Sequence, residues 1–201
     1  NPPTQAGSGE KVTVTAFITN MGENLAEKST VQFYMDDQLL CTKNISKLKP
    51  GKNKKIKVKL NVPAISGSSI LKVELTPTST DIGICNNSVK NQMNIFLPDL
   101  TVKSAAAKGD LVPGKSGTLT VKVANSTIAT AGKSVVRVYR VNGGTVLGEK
   151  KLSKLKTQEK DLNIRIKVPA DFQAGETLRI VIDADSVITE ANETNNELLY
   201  P

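Results

Sequence analysis

Hydrophobic and polar residues alternate along much of this chain with a period of two. Val12, Val14, Ala16 and Ile18 alternate with Thr13, Thr15 and Thr19. Val58 and Leu60 alternate with Lys57 and Lys59, and Ile180 and Ile182 with Arg179 and Val181. This period sets one side of each segment against a core and the other in water, which predicts half-buried β-strands. The β-branched content agrees. Turn signals separate the segments: Asn20-Met21-Gly22, Asp36-Asp37, Pro50-Gly51, Val112-Pro113-Gly114 and Asn142-Gly143-Gly144. No stretch carries a helical stripe. In the second half the pattern predicts seven strands, near 99–106, 117–125, 134–141, 145–151, 161–168, 177–184 and 196–200.

The chain contains one unit twice. Ser46-Lys47-Leu48-Lys49 recurs as Ser153-Lys154-Leu155-Lys156, and each is followed by an alternating run that ends in Val-Pro, at Val62-Pro63 and Val168-Pro169. Upstream, Val14 to Asn20 lines up with Leu119 to Asn125, and Ser29 to Tyr34 with Ser134 to Tyr139. Downstream, Asn86-Asn87 answers Asn195-Asn196. The offset stays near 105 residues throughout. Two homologous all-β domains are expected, residues 1–97 and 98–201, joined at Leu97-Pro98-Asp99. Seven short strands in about 100 residues predict an immunoglobulin- or fibronectin-III-like sandwich for each.

The second copy opens with Pro98-Asp99-Leu100-Thr101-Val102 and closes with Glu190-Ala191-Asn192-Glu193-Thr194-Asn195-Asn196. In these features it resembles the CARDB family, the cell-adhesion-related domain of bacterial and archaeal surface proteins. The resemblance covers nearly all of residues 98–201. The first copy keeps the middle strands and Asn86-Asn87, but has Ile84-Cys85 where Glu193-Thr194 stand in the second. The resemblance implies tandem Ig-like sandwiches, an extracellular or cell-surface location, and a spacer or adhesive role. It implies no catalytic residues and no cofactor. The closing turn itself is expected to be structural, because Asn tolerates left-handed backbone and bonds to nearby main chain.

The first copy begins at Gln5-Ala6-Gly7, which corresponds to Asp110-Leu111-Val112, so the equivalent of its opening strand is missing. Two readings follow. The chain is an excerpt of a longer array, in keeping with its Asn1-Pro2-Pro3 start, or it is a self-assembling filament or surface-layer subunit completed by strand exchange with a neighbour. The expected partners are other domains of the array or neighbouring subunits.

Composition narrows the chemistry. The 201 residues include no His and no Trp, two Cys, and 27 Lys+Arg against 19 Asp+Glu, a net charge of +8. Without His there is no Ser-His-Asp or Cys-His machinery and no imidazole metal site, and two cysteines cannot form a four-thiolate zinc cage. No GxGxxG string occurs. No catalytic, cofactor or metal residues are therefore assigned, and an enzyme is not expected. Aromatic content of 3% gives no base-stacking platform, so nucleic acid is not expected as a partner. Hydrophobic runs are too short for a helix across a bilayer, so membrane insertion is not expected either.

The basic excess concentrates at Lys47, Lys49, Lys52, Lys54, Lys55, Lys57 and Lys59. Lys55, Lys57 and Lys59 share one strand face about 6.6 Å apart. Together with Lys47 and Lys49 they are the candidate contacts for a polyanion such as an anionic polysaccharide. The plainer reading is a solvated face or a guarded sheet edge, and Asp161 and Asn163 at the positions of Lys55 and Lys57 in the second copy favour it. Asp183, Asp185, Glu190 and Glu193 are expected to be solvated loop carboxylates, with calcium the alternative. Cys41 and Cys85 leave a disulfide and two separate thiols open. Tyr34 and Tyr139, at equivalent positions, are expected to pack in the core or at the sandwich margin. Asn44, Asn86, Asn125 and Asn192 head glycosylation-type triplets.

Overall fold

The structure is a computed structural model that describes residues 2–78, 81 and 83–201. The chain divides into two compact units, residues 1–96 and 97–201. Leu97 falls with the second unit, where its carbonyl accepts a bond from Thr127 Oγ1 at 2.7 Å.

The second unit is a seven-stranded sandwich. Its strands are β8 (Leu100–Ala107), β9 (Ser116–Asn125), β10 (Ser134–Arg140), β11 (Val146–Leu152), β12 (Gln158–Lys167), β13 (Leu178–Ile182) and β14 (Glu197–Tyr200). These lie within three residues of the strand ends that the period predicts. One sheet has the order β12-β9-β8 and the other β11-β10-β13-β14, with every pairing antiparallel. The inward positions of each strand fill a single core in which Leu119, Val121, Val123, Val136, Val138, Ile164, Ile180 and Ile182 are all fully buried. Gly148 on β11 allows a close approach between the sheets, because a Cβ there would lie 2.3 Å from the Arg165 carbonyl oxygen of β12.

The first unit is built from β1 (Gln5–Gly7), β2 (Lys11–Thr19), β3 (Ser29–Met35), β4 (Gln38–Ile45), β5 (Asn53–Asn61), β6 (Gly67–Pro77) and β7 (Ser88–Phe96). The β3–β4 hairpin turns through Asp36 and Asp37, both at positive φ, as a tight primed turn requires. Strands β2 to β7 repeat the roles of β9 to β14. The expected loss of the opening strand is visible in the pairing: where β9 lies between β12 and β8, β2 pairs with β5 alone among the described residues. The short β1, which the pattern did not predict, crosses to the other sheet and pairs parallel to β7, giving the order β1-β7-β6-β3-β4.

Candidate functional site

In the second unit, the opening Pro-Asp-Leu and the closing Asn-Glu-Thr-Asn-Asn turn form one clamp. Leu100 N donates to Glu190 Oε2, and Asn196 Nδ2 donates to Glu190 Oε1 at 3.0 Å. Asn195 Nδ2 donates to Asp99 Oδ1 at 2.9 Å, and Ala191 N to the Pro98 carbonyl at 2.8 Å. On the other side, Asn125 Oδ1 accepts from Asp99 N and Thr127 N, both at 3.2 Å, while its Nδ2 donates to the carbonyls of Ala129 and Leu155. The start of β8 is thus held from both sheets. The turn keeps its shape through an Asx bond, Thr194 N to Asn192 Oδ1 at 3.0 Å, which agrees with the structural reading of this motif.

The expectation of solvated carboxylates fails for two of the four residues. Glu190 and Asp183 are 5% and 4% exposed. Burial pushes the Glu190 carboxyl up to about 7; the bonds from Leu100 and Asn196 pull it down, and the neighbouring Glu193 and Asp183 push it up. Asp183 adopts positive φ, and its Oδ2 accepts from Ile188 N at 2.9 Å. Asp185 pairs with Arg137 at 2.9 Å. Glu193 Oε1 accepts from Glu190 N. The reason for the difference is architectural: Glu190 accepts from the Leu100 amide of the opening strand and Asp183 from the Ile188 amide, bonds that compensate their burial. Among the described residues, no three of His, Cys, Asp and Glu gather closely enough to hold a metal ion.

The first unit retains half of the clamp. Asn20 stands where Asn125 stands. Its Nδ2 donates to the carbonyls of Asn24 and Leu48, at 2.7 and 2.9 Å, and its Oδ1 accepts from Gly22 N at 3.0 Å. An isolated antiparallel bridge follows each of these asparagines, Ala26 with Leu48 and Ala131 with Leu155. Asp81 takes the place of Glu190, accepting from Asn87 Nδ2 and Gly83 N, each at 2.9 Å. These bonds, Asn87's first, hold its carboxyl below the ordinary value. The opening strand that β9 has as a partner in the second unit has no counterpart beside β2 among the described residues.

That open position is a groove of about 440 Å³ between β2 on one sheet and β6 and β7 on the other. Its floor contains Ala16, Ile18, Val73 and Leu75, all half-buried, and its rim carries Phe17, Met21 and Val89, which are 62%, 84% and 58% exposed. The second-unit equivalents of the floor residues are Val121, Val123, Ile180 and Ile182, each 0% exposed. The difference is the cover that β8 provides. A second hollow of about 390 Å³ continues from this groove past Asn20, Asp81, Asn86 and Asn87.

The lysine candidates separate into two sets. Lys55, Lys57 and Lys59 are exposed along the outer face of β5, opposite Phe17, Thr15 and Thr13 of β2. The Lys55 ammonium lies 5.7 Å from the Phe17 ring centre. Lys47 instead pairs with Glu27 at 2.8 Å, and Lys49 is exposed in the connection before β5. Both cysteines are free thiols, Cys41 half-buried on β4 and Cys85 exposed. Tyr34 and Tyr139 are not core residues, contrary to expectation. They lie on outer sheet faces beneath cations, with Lys72 at 4.3 Å and Arg179 at 4.8 Å from the ring centres. Their strand parity explains this, because Phe33 and Val138 next to them take the inward positions. Of the glycosylation-type asparagines, Asn125 is buried and fully bonded, whereas Asn44, Asn86 and Asn192 are exposed.

The family model for CARDB matches residues 1–80 and 97–199. No curated protein matches the chain. Among solved structures, the chain is similar to the CARDB domain of a Pyrococcus furiosus protein in complex with di-metal ions, at 15% identity, covering 47% of this chain and 82% of that one, with a TM-score of 0.43. It is also similar to a domain described as part of a cell surface protein from Methanosarcina acetivorans, at 24% identity, covering 51% of this chain and 88% of that one, with a TM-score of 0.42.

Proposed function

Because the chain belongs to the CARDB family, with both units matched, we propose that it is a non-catalytic module of an exported cell-surface protein, acting as a spacer between other domains of a tandem array. One observation carries this reading. The polar cluster that most resembles a site, Asp99, Glu190, Asn195 and Asn196, is turned inward and bonded to its own opening strand. Through these bonds the cluster holds the unit's shape, while among the described residues the buried Asn195 Oδ1 and Asn196 Oδ1 keep no hydrogen-bond partner.

A second reading, adhesion through charge, is favoured by the exposed face bearing Lys55, Lys57 and Lys59. Attraction of this kind weakens as salt screens it. The two readings separate in a binding assay of the full chain against anionic polysaccharides at low and physiological ionic strength. A spacer shows no saturable binding at physiological salt. Saturable binding there, lost on the triple change Lys55→Glu, Lys57→Glu and Lys59→Glu, would replace the spacer with an adhesive module.

A further inference from the structure

We propose that Asn192 is an N-glycosylation site, its amide nitrogen taking a glycan from a sugar donor carried on a lipid phosphate. The inference rests on the reading of the chain as part of an exported surface protein. Four asparagines, Asn44, Asn86, Asn125 and Asn192, head the acceptor triplet Asn-x-Ser/Thr in which x is not proline. The fold separates one of them from the other three.

A transferase closes around the acceptor triplet, so the triplet has to stand clear of the sheets. Asn125 is 2% exposed, and its amide nitrogen is taken by the carbonyls of Ala129 and Leu155. Asn44 lies within β4 in register with Thr30, and the middle residue of its triplet, Ile45, is 4% exposed in the core. The Asn86 triplet is tied down at its middle residue. Asn87 Nδ2 donates to Asp81, and the Asn87 carbonyl accepts from Leu75 N at 2.7 Å. Asn192, Glu193 and Thr194, by contrast, are all exposed, and they lie in the turn between β13 and β14, outside every strand.

The two ends of the Asn192 amide have different tasks. Its Oδ1 is engaged, accepting from Thr194 N at 3.0 Å and from Thr194 Oγ1 at 2.7 Å. Its Nδ2 makes no hydrogen bond among the described residues. The turn therefore uses only the oxygen, which an aspartate would supply equally well, and a glycan on the nitrogen breaks none of the turn's bonds. In the transfer, Nδ2 gives one proton to a basic group of the transferase and attacks the anomeric carbon of the lipid-linked sugar. The N–C bond forms as the bond from that carbon to the phosphate oxygen breaks, and the electron pair leaves with the lipid phosphate. An amide nitrogen is a weak nucleophile because its lone pair is delocalised into the carbonyl, so charge gathers on Oδ1 as the proton departs. Two donors already point at that oxygen, one of them the hydroxyl that the acceptor pattern demands two residues on.

The test uses the protein from the cells that make it, labelled on intact cells with a membrane-impermeant amine reagent so that surface copies are recovered apart from the rest. The tryptic peptide that begins at Ile180 holds Asn192 and none of the other three triplets. Mass spectrometry with fragmentation that leaves sugars attached should find the glycan on Asn192 as the main form of that peptide. Asn192→Asp keeps the Oδ1 acceptor and removes the nitrogen. It should abolish the glycan while leaving the Tm of the second unit within about 2 °C of the parent. Thr194→Ala should abolish the glycan as well, and Thr194→Ser, which restores the hydroxyl, should bring it back. A sugar-free Asn192 on surface-labelled protein, a glycan on Asn44 or Asn86 with Asn192 bare, or a glycan that survives Thr194→Ala would overturn the site alone. Protein that the reagent never reaches on intact cells, with Asn192 bare, would overturn the exported reading together with it.

Discussion

Removing the Glu190 carboxylate tests the clamp most directly. In Glu190→Ala, Leu100 N and Asn196 Nδ2 lose their acceptors in a site whose central residue is 5% exposed. Each buried donor left without a partner costs about 1–3 kcal/mol, so the two together cost roughly 2–6 kcal/mol. The native carboxylate is itself penalised by burial, as its elevated pKa shows. Above neutral pH the deletion relieves that penalty, which offsets on the order of 1–2 kcal/mol. The net loss is about 3 kcal/mol. For a unit of about 100 residues this lowers Tm by roughly 10–20 °C. Differential scanning calorimetry of the full chain should show the fall in the second unit's transition alone. Hydrogen exchange at Leu100 should accelerate more than at Val102, since the clamp holds the entry of β8 first. A Tm within about 2 °C of the parent, or equal acceleration at both amides, would refute the assignment of Glu190 as the residue that holds the opening strand.

Three further outcomes are expected. The folded Glu190 pKa of about 7 stands above its ordinary 4.5, so the native state keeps a proton that the unfolded chain releases. Stability of the second unit therefore falls as pH rises from about 5 to 8, by on the order of 2 kcal/mol, and Glu190→Gln flattens that slope in pH-dependent calorimetry. Gly148→Ala drives a methyl into the Arg165 carbonyl at 2.3 Å; a backbone obstacle cannot rotate away, and denaturant titration should show a loss of at least about 2 kcal/mol. Asn125→Ala should destabilise by about 2–4 kcal/mol, because it strips partners from four buried or half-buried bonds, whereas Asn20→Ala in the half-exposed counterpart should cost about half as much in the same titration.

Much of this architecture is legible in one-dimensional pattern because its causes are local. The two-residue period reports which face of a strand meets the core, and the offset between copies aligns β2 with β9 closely enough to single out β2 as the strand without the neighbour that β8 gives β9 among the described residues. The clamp is not legible, because its decisive bond joins residues 90 positions apart, Leu100 and Glu190. Charge even points the wrong way there: an Asp/Glu/Asn-rich turn reads as solvated, yet Glu190 and Asp183 are buried by the donors they serve. β1 is not legible because Gln5-Ala6-Gly7 is too short to show a period. The outward place of Tyr34 and Tyr139 is legible in the parity of their strands, since one residue's shift takes a side chain from core to outer face.

The parallel pairing of β1 with β7 has a consequence under tension. A pull applied to the first unit between Gln5 and Phe96 enters through β1 and leaves through β7. Gln5, Ala6 and Gly7 face Asn94, Ile95 and Phe96 in order, so the two strands are drawn past each other lengthwise. All the hydrogen bonds of that short ladder share the load together, where a hairpin opened from its end would yield them one by one. In the second unit the first strand β8 pairs with β9 rather than with the last strand β14, and a hydrogen bond from Ala107 N to Tyr200 Oη joins first strand to last. Force there must pass through the packed core. The same fold thus resists stretching at a seam in one copy and through its interior in the next.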